Sequence, residues 1–144
     1  MSSESWDHYA YTALIVFCFL MRDGKILLIR RANEPYKGEI TVPGGRKKRG
    51  ESLREACVRE MKEETGYTAE HIGLLMKMHT TIGFCTEVIY IYEASGLTEG
   101  ETNFDEGEFI EIIKIPLEEA VNLIFSGGIT DGKTIAALLA YGRK

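Results

Sequence analysis

Glu60, Glu63 and Glu64 stand three and four residues apart in a stretch, Leu53–Thr65, that reads as one helix. At about 100° per residue the three carboxylates fall within one arc of about 100°. Like charges at those spacings cost a helix about 0.2–0.5 kcal/mol per pair, so the cluster needs a partner from outside it. Leu53, Ala56 and Cys57 project toward the same side, whereas Glu55, Arg59 and Lys62 project roughly opposite and read as the solvent face. The core-facing stripe therefore turns acidic in its second half. Inward carboxylates either protonate or acquire a cation. An ordinary charged surface is the plainer alternative, disfavoured because apolar residues share the arc. Clustered oxygen donors without a His or Cys ligand set suit a hard cation, Mg²⁺ or Mn²⁺. Such an ion neutralises phosphate oxygens and acidifies a bound water, the requirements of phosphoryl chemistry.

The elements that must position these acids are legible around them. Thr12–Met21, rich in Ile, Val and Phe, reads as a strand buried on both faces. Arg22-Asp23-Gly24-Lys25 is a hairpin turn, and Lys25–Arg31 returns as a second strand. A polar loop, Ala32–Glu39, precedes a short extended piece, Ile40–Val42, and Pro43-Gly44-Gly45 opens a basic, Gly-containing loop reaching Gly50. Ser52 and Glu55 form a capping box for the acidic helix, and Gly66 is placed to stop it in a left-handed conformation. Extended segments follow at His71–Thr80 and Glu87–Glu93, then an acidic loop, Gly96–Glu108, and a strand, Phe109–Ile115. Pro116 suits the first turn of a helix with apolar positions Leu117, Ala120, Val121 and Ile124. Gly127-Gly128 breaks that helix and a last one spans Gly132–Tyr141. Unequal alternation of strands and helices implies a mixed sheet flanked by helices, α/β or α+β.

Composition narrows the function classes. The 144 residues suit a single domain, 1–144, with 44% apolar and 27% charged residues. Seventeen basic against twenty-two acidic side chains leave a net charge of −5, which disfavours duplex nucleic acid and anionic membranes as partners. The longest apolar run, Ala13–Met21, has nine residues, too few to span a bilayer. Cys18, Cys57 and Cys85 are widely spaced and form no Cys-x-x-Cys pair; they read as buried reduced thiols of a cytoplasmic protein.

From Gly45 the chain runs five residues to Glu51, seven more to Arg59, and on through Glu60-Met61-Lys62-Glu63-Glu64-Thr65-Gly66-Tyr67. This resembles the Nudix box, G-x5-E-x7-R-E-U-x-E-E-x-G-U with U bulky and apolar. All seven fixed positions match over 23 residues, and Met61 and Tyr67 occupy the U positions. The hairpin before the box and the C-terminal helices also look Nudix-like. The resemblance implies an α+β fold, an α/β/α sandwich around a central mixed sheet. It implies metal-dependent hydrolysis of a nucleoside diphosphate linked to another moiety, with Mg²⁺ or Mn²⁺. By the motif, Glu60, Glu63 and Glu64 are metal ligands, Glu64 also belongs to the catalytic set, and the Gly45 carbonyl adds a ligand. Glu51 and Arg59 are orienting partners. Arg59 reads two ways, as a bidentate clamp on a carboxylate or as a solvent-facing partner of Glu55 or Glu63.

Downstream, Gly127–Ala136 and Glu106–Glu111 are similar to the ADP-ribose pyrophosphatase branch, which implies ADP-ribose as substrate, with AMP and ribose 5-phosphate as products. In that branch a glutamate of the acidic loop acts as or positions the general base; Glu108 is preferred here over Glu106, against the reading of both as solvated loop acids. Ile82 stands where that branch commonly has Pro, and only eleven residues precede the first strand, short for the branch's swapped form of homodimer. Asn33–Gly38 before Pro43 instead resembles MutT-like members that cleave nucleoside triphosphates, oxidised ones among them. A non-catalytic nucleotide-sensing module is the reading from another class; its mark is loss of a box glutamate, and all are present. Arg30, Arg31, Arg46, Lys47, Lys48 and Arg49 are candidate phosphate contacts, or a solvated basic run. Phe84, Tyr36 and Tyr92 are candidate base-stacking rings, or core aromatics.

Overall fold

The computed structural model describes residues 13–83, 85–102 and 110–144. Strands β1 (Leu14–Arg22), β2 (Lys25–Arg31), β3 (Ile40–Thr41), β4 (Gly44–Arg46), β5 (Thr68–His79), β6 (Val88–Thr98) and β7 (Ile110–Pro116) form one mixed sheet. Helix α1 (Leu53–Thr65) interrupts them, and α2 (Leu117–Ser126) and α3 (Gly132–Tyr141) follow. The backbone order is β3-β2-β1-β6-β5, with β4 also pairing β1 and β7 also pairing β2. β1 and β6 are parallel and every other pair is antiparallel.

The period-two alternation of strand side chains divides the core into two layers. Val16, Cys18 and Leu20 of β1 and Leu27 of β2 face α1, where they meet Ala56, Cys57 and Met61. Phe19 of β1, Ile26 and Leu28 of β2, and Ile89 and Ile91 of β6 face the other way, against Ala120 of α2 and Ala137 and Leu138 of α3. This is the α/β/α sandwich expected. In the α1 layer Cys18 and Cys57 touch, and that contact together with burial raises the Cys18 thiol well above its usual range. Cys85 is only half-buried, in contrast to the expectation for all three thiols. No helix of the described residues is long and apolar enough to cross a membrane.

The expected boundaries hold closely at α1, whose capping box is formed in both directions, Glu55 N to Ser52 Oγ at 3.0 Å and Ser52 N to Glu55 Oε1 at 3.1 Å. Gly66 ends it with φ 79°, and a β-carbon there would come within 2.4 Å of the Gly100 carbonyl. Three features differ. β5 begins at Thr68 and β6 runs to Thr98, longer than expected, because the two pair as a ribbon from Thr68↔Thr98 to His79↔Val88; pairing carries Ala-Ser-Gly-Leu-Thr, a weak strand former, into the sheet. Gly44–Arg46, expected as loop, pairs with Phe17, Val16 and Ile15 through its backbone. Pro116 closes β7 and caps α2 rather than lying within its first turn.

Thr134, fully buried, ties α3 to the strand-to-loop passage before β4. Its Oγ1 accepts from Val42 N at 3.0 Å and donates to Asp131 Oδ2 at 2.6 Å. Thr134→Val keeps the shape but orphans a buried amide, so urea unfolding is expected to show a loss of about 1–3 kcal/mol; a loss below about 0.5 kcal/mol would show that Val42 has another partner.

Candidate active site

The packing of Ala56, Cys57 and Met61 against the sheet sets the rotation of α1, and with it where the glutamates point. Glu64 is 8% exposed and Gly44 N donates to its Oε2 at 2.9 Å. Glu60 lies against Gly45, where an added β-carbon would be 2.5 Å from Glu60 Oε1 and 2.7 Å from its carboxyl carbon. Only glycine lets the β4 backbone approach that carboxylate so closely.

Arg59 is the centre of the cluster. Its Nε and Nη2 donate to Glu51 Oε2 and Oε1 at 3.0 and 2.7 Å, a bidentate pair. Nη1 donates to Glu60 Oε1 at 2.8 Å and to Glu63 Oε2 at 3.3 Å, and Nη2 also to the Arg46 carbonyl at 3.0 Å. Lys48 N donates to Glu51 Oε1 at 2.6 Å. The Arg59 side chain is 20% exposed, so it is not part of the solvent face expected for it. Its angle lies beside that of Glu63, and the chain between β4 and α1 brings Glu51 over it. The Arg59 hydrogen bonds, then the Lys48 amide, lower the Glu51 carboxyl from 4.5 to about 2. The same pairing, led by Glu51, raises the Arg59 pKa, so the guanidinium is a fixed charge.

Among the described residues no three acid, His or Cys side chains already stand as a formed metal cage. The expected convergence of Glu60, Glu63 and Glu64 is therefore not preassembled: Arg59 holds Glu60 and Glu63, and Glu64 accepts from Gly44. In donor type the site fits a hard divalent cation, with three carboxylates on one helix face beside a strand that lacks a β-carbon at Gly45. A bound cation would draw on the Glu60 and Glu63 oxygens that Arg59 now holds.

Gly44 and Glu64 open onto a cavity of about 760 Å³ lined also by Phe17, Arg31, Tyr36 and Lys133, within the range of small-molecule sites. Of the expected phosphate contacts, Arg31 lines it, while its Nε donates to the Pro35 carbonyl at 3.0 Å. Arg30 turns to the Gly38 carbonyl at 3.3 Å and to Glu111 at 3.5 Å. Arg46 meets the cluster through its carbonyl. Glu106, Glu108 and Phe84 lie outside the described residues. Tyr92 lies on β6 beside Cys18 and packs against the α1 layer. Sequence reasoning assigned no site role to Asp131 and Lys133. Lys133 Nζ sits 4.6 Å from the centre of the Phe17 ring and 2.8 Å from Asp131 Oδ1, while Asp131 Oδ2 caps α3. An Asp followed by a helix is the readable signal there.

The depressed Glu51 value gives a pH prediction. A carboxyl whose folded pKa lies below its unfolded one contributes stability above about pH 4.5 and loses that contribution as pH falls through about 2. The stability gap between the wild type and Glu51→Gln, from urea titrations, should be flat at neutral pH and shrink between pH 4.5 and 2; a gap that is constant over that range would mean Arg59 does not hold an ionised Glu51.

The NUDIX domain model matches residues 11–138. The chain is 34% identical over 122 residues to the methanol dehydrogenase activator of Bacillus methanolicus, covering 83% of this chain and 66% of that one. It is 33% identical over 119 residues to the ADP-ribose pyrophosphatase of Bacillus subtilis, covering 81% and 64%. The chain thus spans about two thirds of the length of these relatives. A crystal structure of an ADP compounds hydrolase superposes with a TM-score of 0.83 at 24% identity over 92% of this chain and 72% of the other. With a box helix capped and rotated so that its acids meet β4, and with this match along most of its length, the chain belongs to the NUDIX domain family.

Proposed function

We propose that this chain is a divalent-metal-dependent pyrophosphohydrolase of a nucleoside diphosphate linked to another moiety, with ADP-ribose as substrate and AMP and ribose 5-phosphate as products. The observation that carries this reading is Glu64, a nearly buried carboxylate on the wall of a nucleotide-sized cavity, next to Glu60, Glu63 and Arg59. The choice of ADP-ribose is supported by the name of the Bacillus subtilis relative and by the Glu106–Glu111 and Gly127–Ala136 segments.

Glu60, Glu63, Glu64 and the Gly45 carbonyl would hold the cation, for which Mg²⁺ is the choice. When bound, it supplies positive charge to the diphosphate and acidifies a water. The chain's own groups do the rest. Gly44 N–H fixes the Glu64 carboxylate, and Glu51 fixes the Arg59 guanidinium beside Glu60 and Glu63. Lys133 brings positive charge to the cavity wall. Water attacks one phosphorus as the bridging P–O bond breaks, and its proton passes to a loop glutamate, Glu108 in preference to Glu106. We read the chain as one domain of a cytoplasmic protein, a setting that its three free cysteines fit.

Pure protein with Mg²⁺ is expected to convert ADP-ribose to AMP and ribose 5-phosphate, with nucleoside triphosphates turned over more slowly and EDTA abolishing both. Chromatography of the products decides the substrate; faster release of a nucleoside monophosphate and diphosphate from triphosphates would assign the chain to the MutT-like reading. Glu64→Gln retains an oxygen to accept from Gly44 N but removes the charge. Turnover should fall by about 10²-fold or more with thermal stability nearly unchanged. Turnover at the wild-type rate would remove Glu64 from the site.

A further inference from the structure

The loop between β2 and β3 borders the Glu64 cavity, and the role given to it here rests on the nucleotide reading above. Tyr36 has φ 63°, a left-handed backbone conformation that disfavours any residue with a side chain. Its ring contributes little to the fold, because the residue is 73% exposed. Yet the loop is firmly held. Gly38 N donates to the Arg31 carbonyl at 2.7 Å, Arg31 N to the Glu39 carbonyl at 3.0 Å, and Glu39 N to the Tyr36 carbonyl at 3.1 Å. The guanidinium groups of Arg31 and Arg30 donate to the Pro35 and Gly38 carbonyls, on either side of Tyr36. Thr130, just ahead of α3, adds a hydrogen bond from Oγ1 to Glu39 Oε2 at 3.0 Å.

A strained backbone held by six hydrogen bonds to present an aromatic ring that packs little needs a reason outside the fold. The ring belongs to the lining of the Glu64 cavity. Of the two aromatic residues among the described lining, Phe17 already carries the Lys133 ammonium on its face. We propose that Tyr36 is the platform on which the nucleobase of the substrate stacks, with Arg30 and Arg31 as positioning residues that hold its loop rather than as phosphate ligands. Stacking needs only a π-face, so the platform serves any base, and selection among bases falls to other groups of the cavity.

The test measures binding of AMP, GMP and ribose 5-phosphate by calorimetry to the wild type, Tyr36→Ala, Tyr36→Phe and Tyr36→Gly. Tyr36→Ala should weaken both nucleoside monophosphates about 10-fold or more and leave ribose 5-phosphate unchanged, and Tyr36→Phe should restore binding. Tyr36→Gly relieves the backbone, so it should keep the wild-type melting temperature or exceed it while binding nucleotides as weakly as Tyr36→Ala. Unchanged AMP affinity in Tyr36→Ala, or equal losses for AMP and ribose 5-phosphate, would overturn the platform. A wild type that binds no nucleoside monophosphate would overturn it as well. AMP binding without turnover of ADP-ribose would leave the platform standing and remove only the choice of substrate.

Discussion

Three carboxylates share one inward helix face only if a cation shares it with them, and in this fold the resident cation is Arg59. Its fork closes on Glu51 from the preceding turn while Nη1 reaches Glu60 and Glu63. Because Glu51 is also anchored to the Lys48 amide, the charge balance of the helix is tied to the fold of the loop before it. The guanidinium thus makes an acidic face compatible with a packed interface, and it sets the electrostatic competition that any incoming divalent ion must win.

The sheet supplies the rigid reference for that cluster. β1 is paired on one side along its length with β6 and on the other with β4 and then β2. Its alternating side chains fill both layers of the core. Seating α1 on one face through Ala56, Cys57 and Met61 leaves its helical rotation little freedom, since close-packed side chains resist displacement. Glu64 and Glu60 therefore arrive at β4, where the bare backbone of Gly44 and Gly45 receives them.

The cavity is assembled from segments far apart in the chain: β1, the β2–β3 loop, the Gly44 turn, α1 and the start of α3. Thr134 links two of these through Val42 and Asp131, and Thr130 links α3 to the β2–β3 loop through Glu39. One wall thus carries the Glu64 carboxylate, and the others carry the rings of Phe17 and Tyr36 with the basic side chains of Arg31 and Lys133.

Local signals were enough wherever a short stretch determines its own geometry. The capping box of Ser52 and Glu55, the left-handed stop at Gly66, the Asp23-Gly24 hairpin and the spacing from Gly45 to Tyr67 were all legible, because each depends on groups within a few residues. The layered mixed sheet followed from the alternation of elements. Backbone pairing was not legible. Gly44–Arg46 carries no strand propensity, and only β1 alongside makes it a strand. The β5–β6 ribbon likewise extends where pairing, rather than residue type, maintains it. Arg59 was misplaced on the solvent side although its angle lies beside that of Glu63. Of its two readings, the bidentate clamp on a carboxylate holds, with Glu51, because a long guanidinium goes where its acceptors are. Arg30, read as a phosphate contact, reaches a loop carbonyl and Glu111 for the same reason. The amino-acid sequence by itself determined that three acids share one face of a single capped helix. Tertiary structure decided which charges meet and that Tyr36 stands at the cavity, since those depend on contacts between residues distant along the chain.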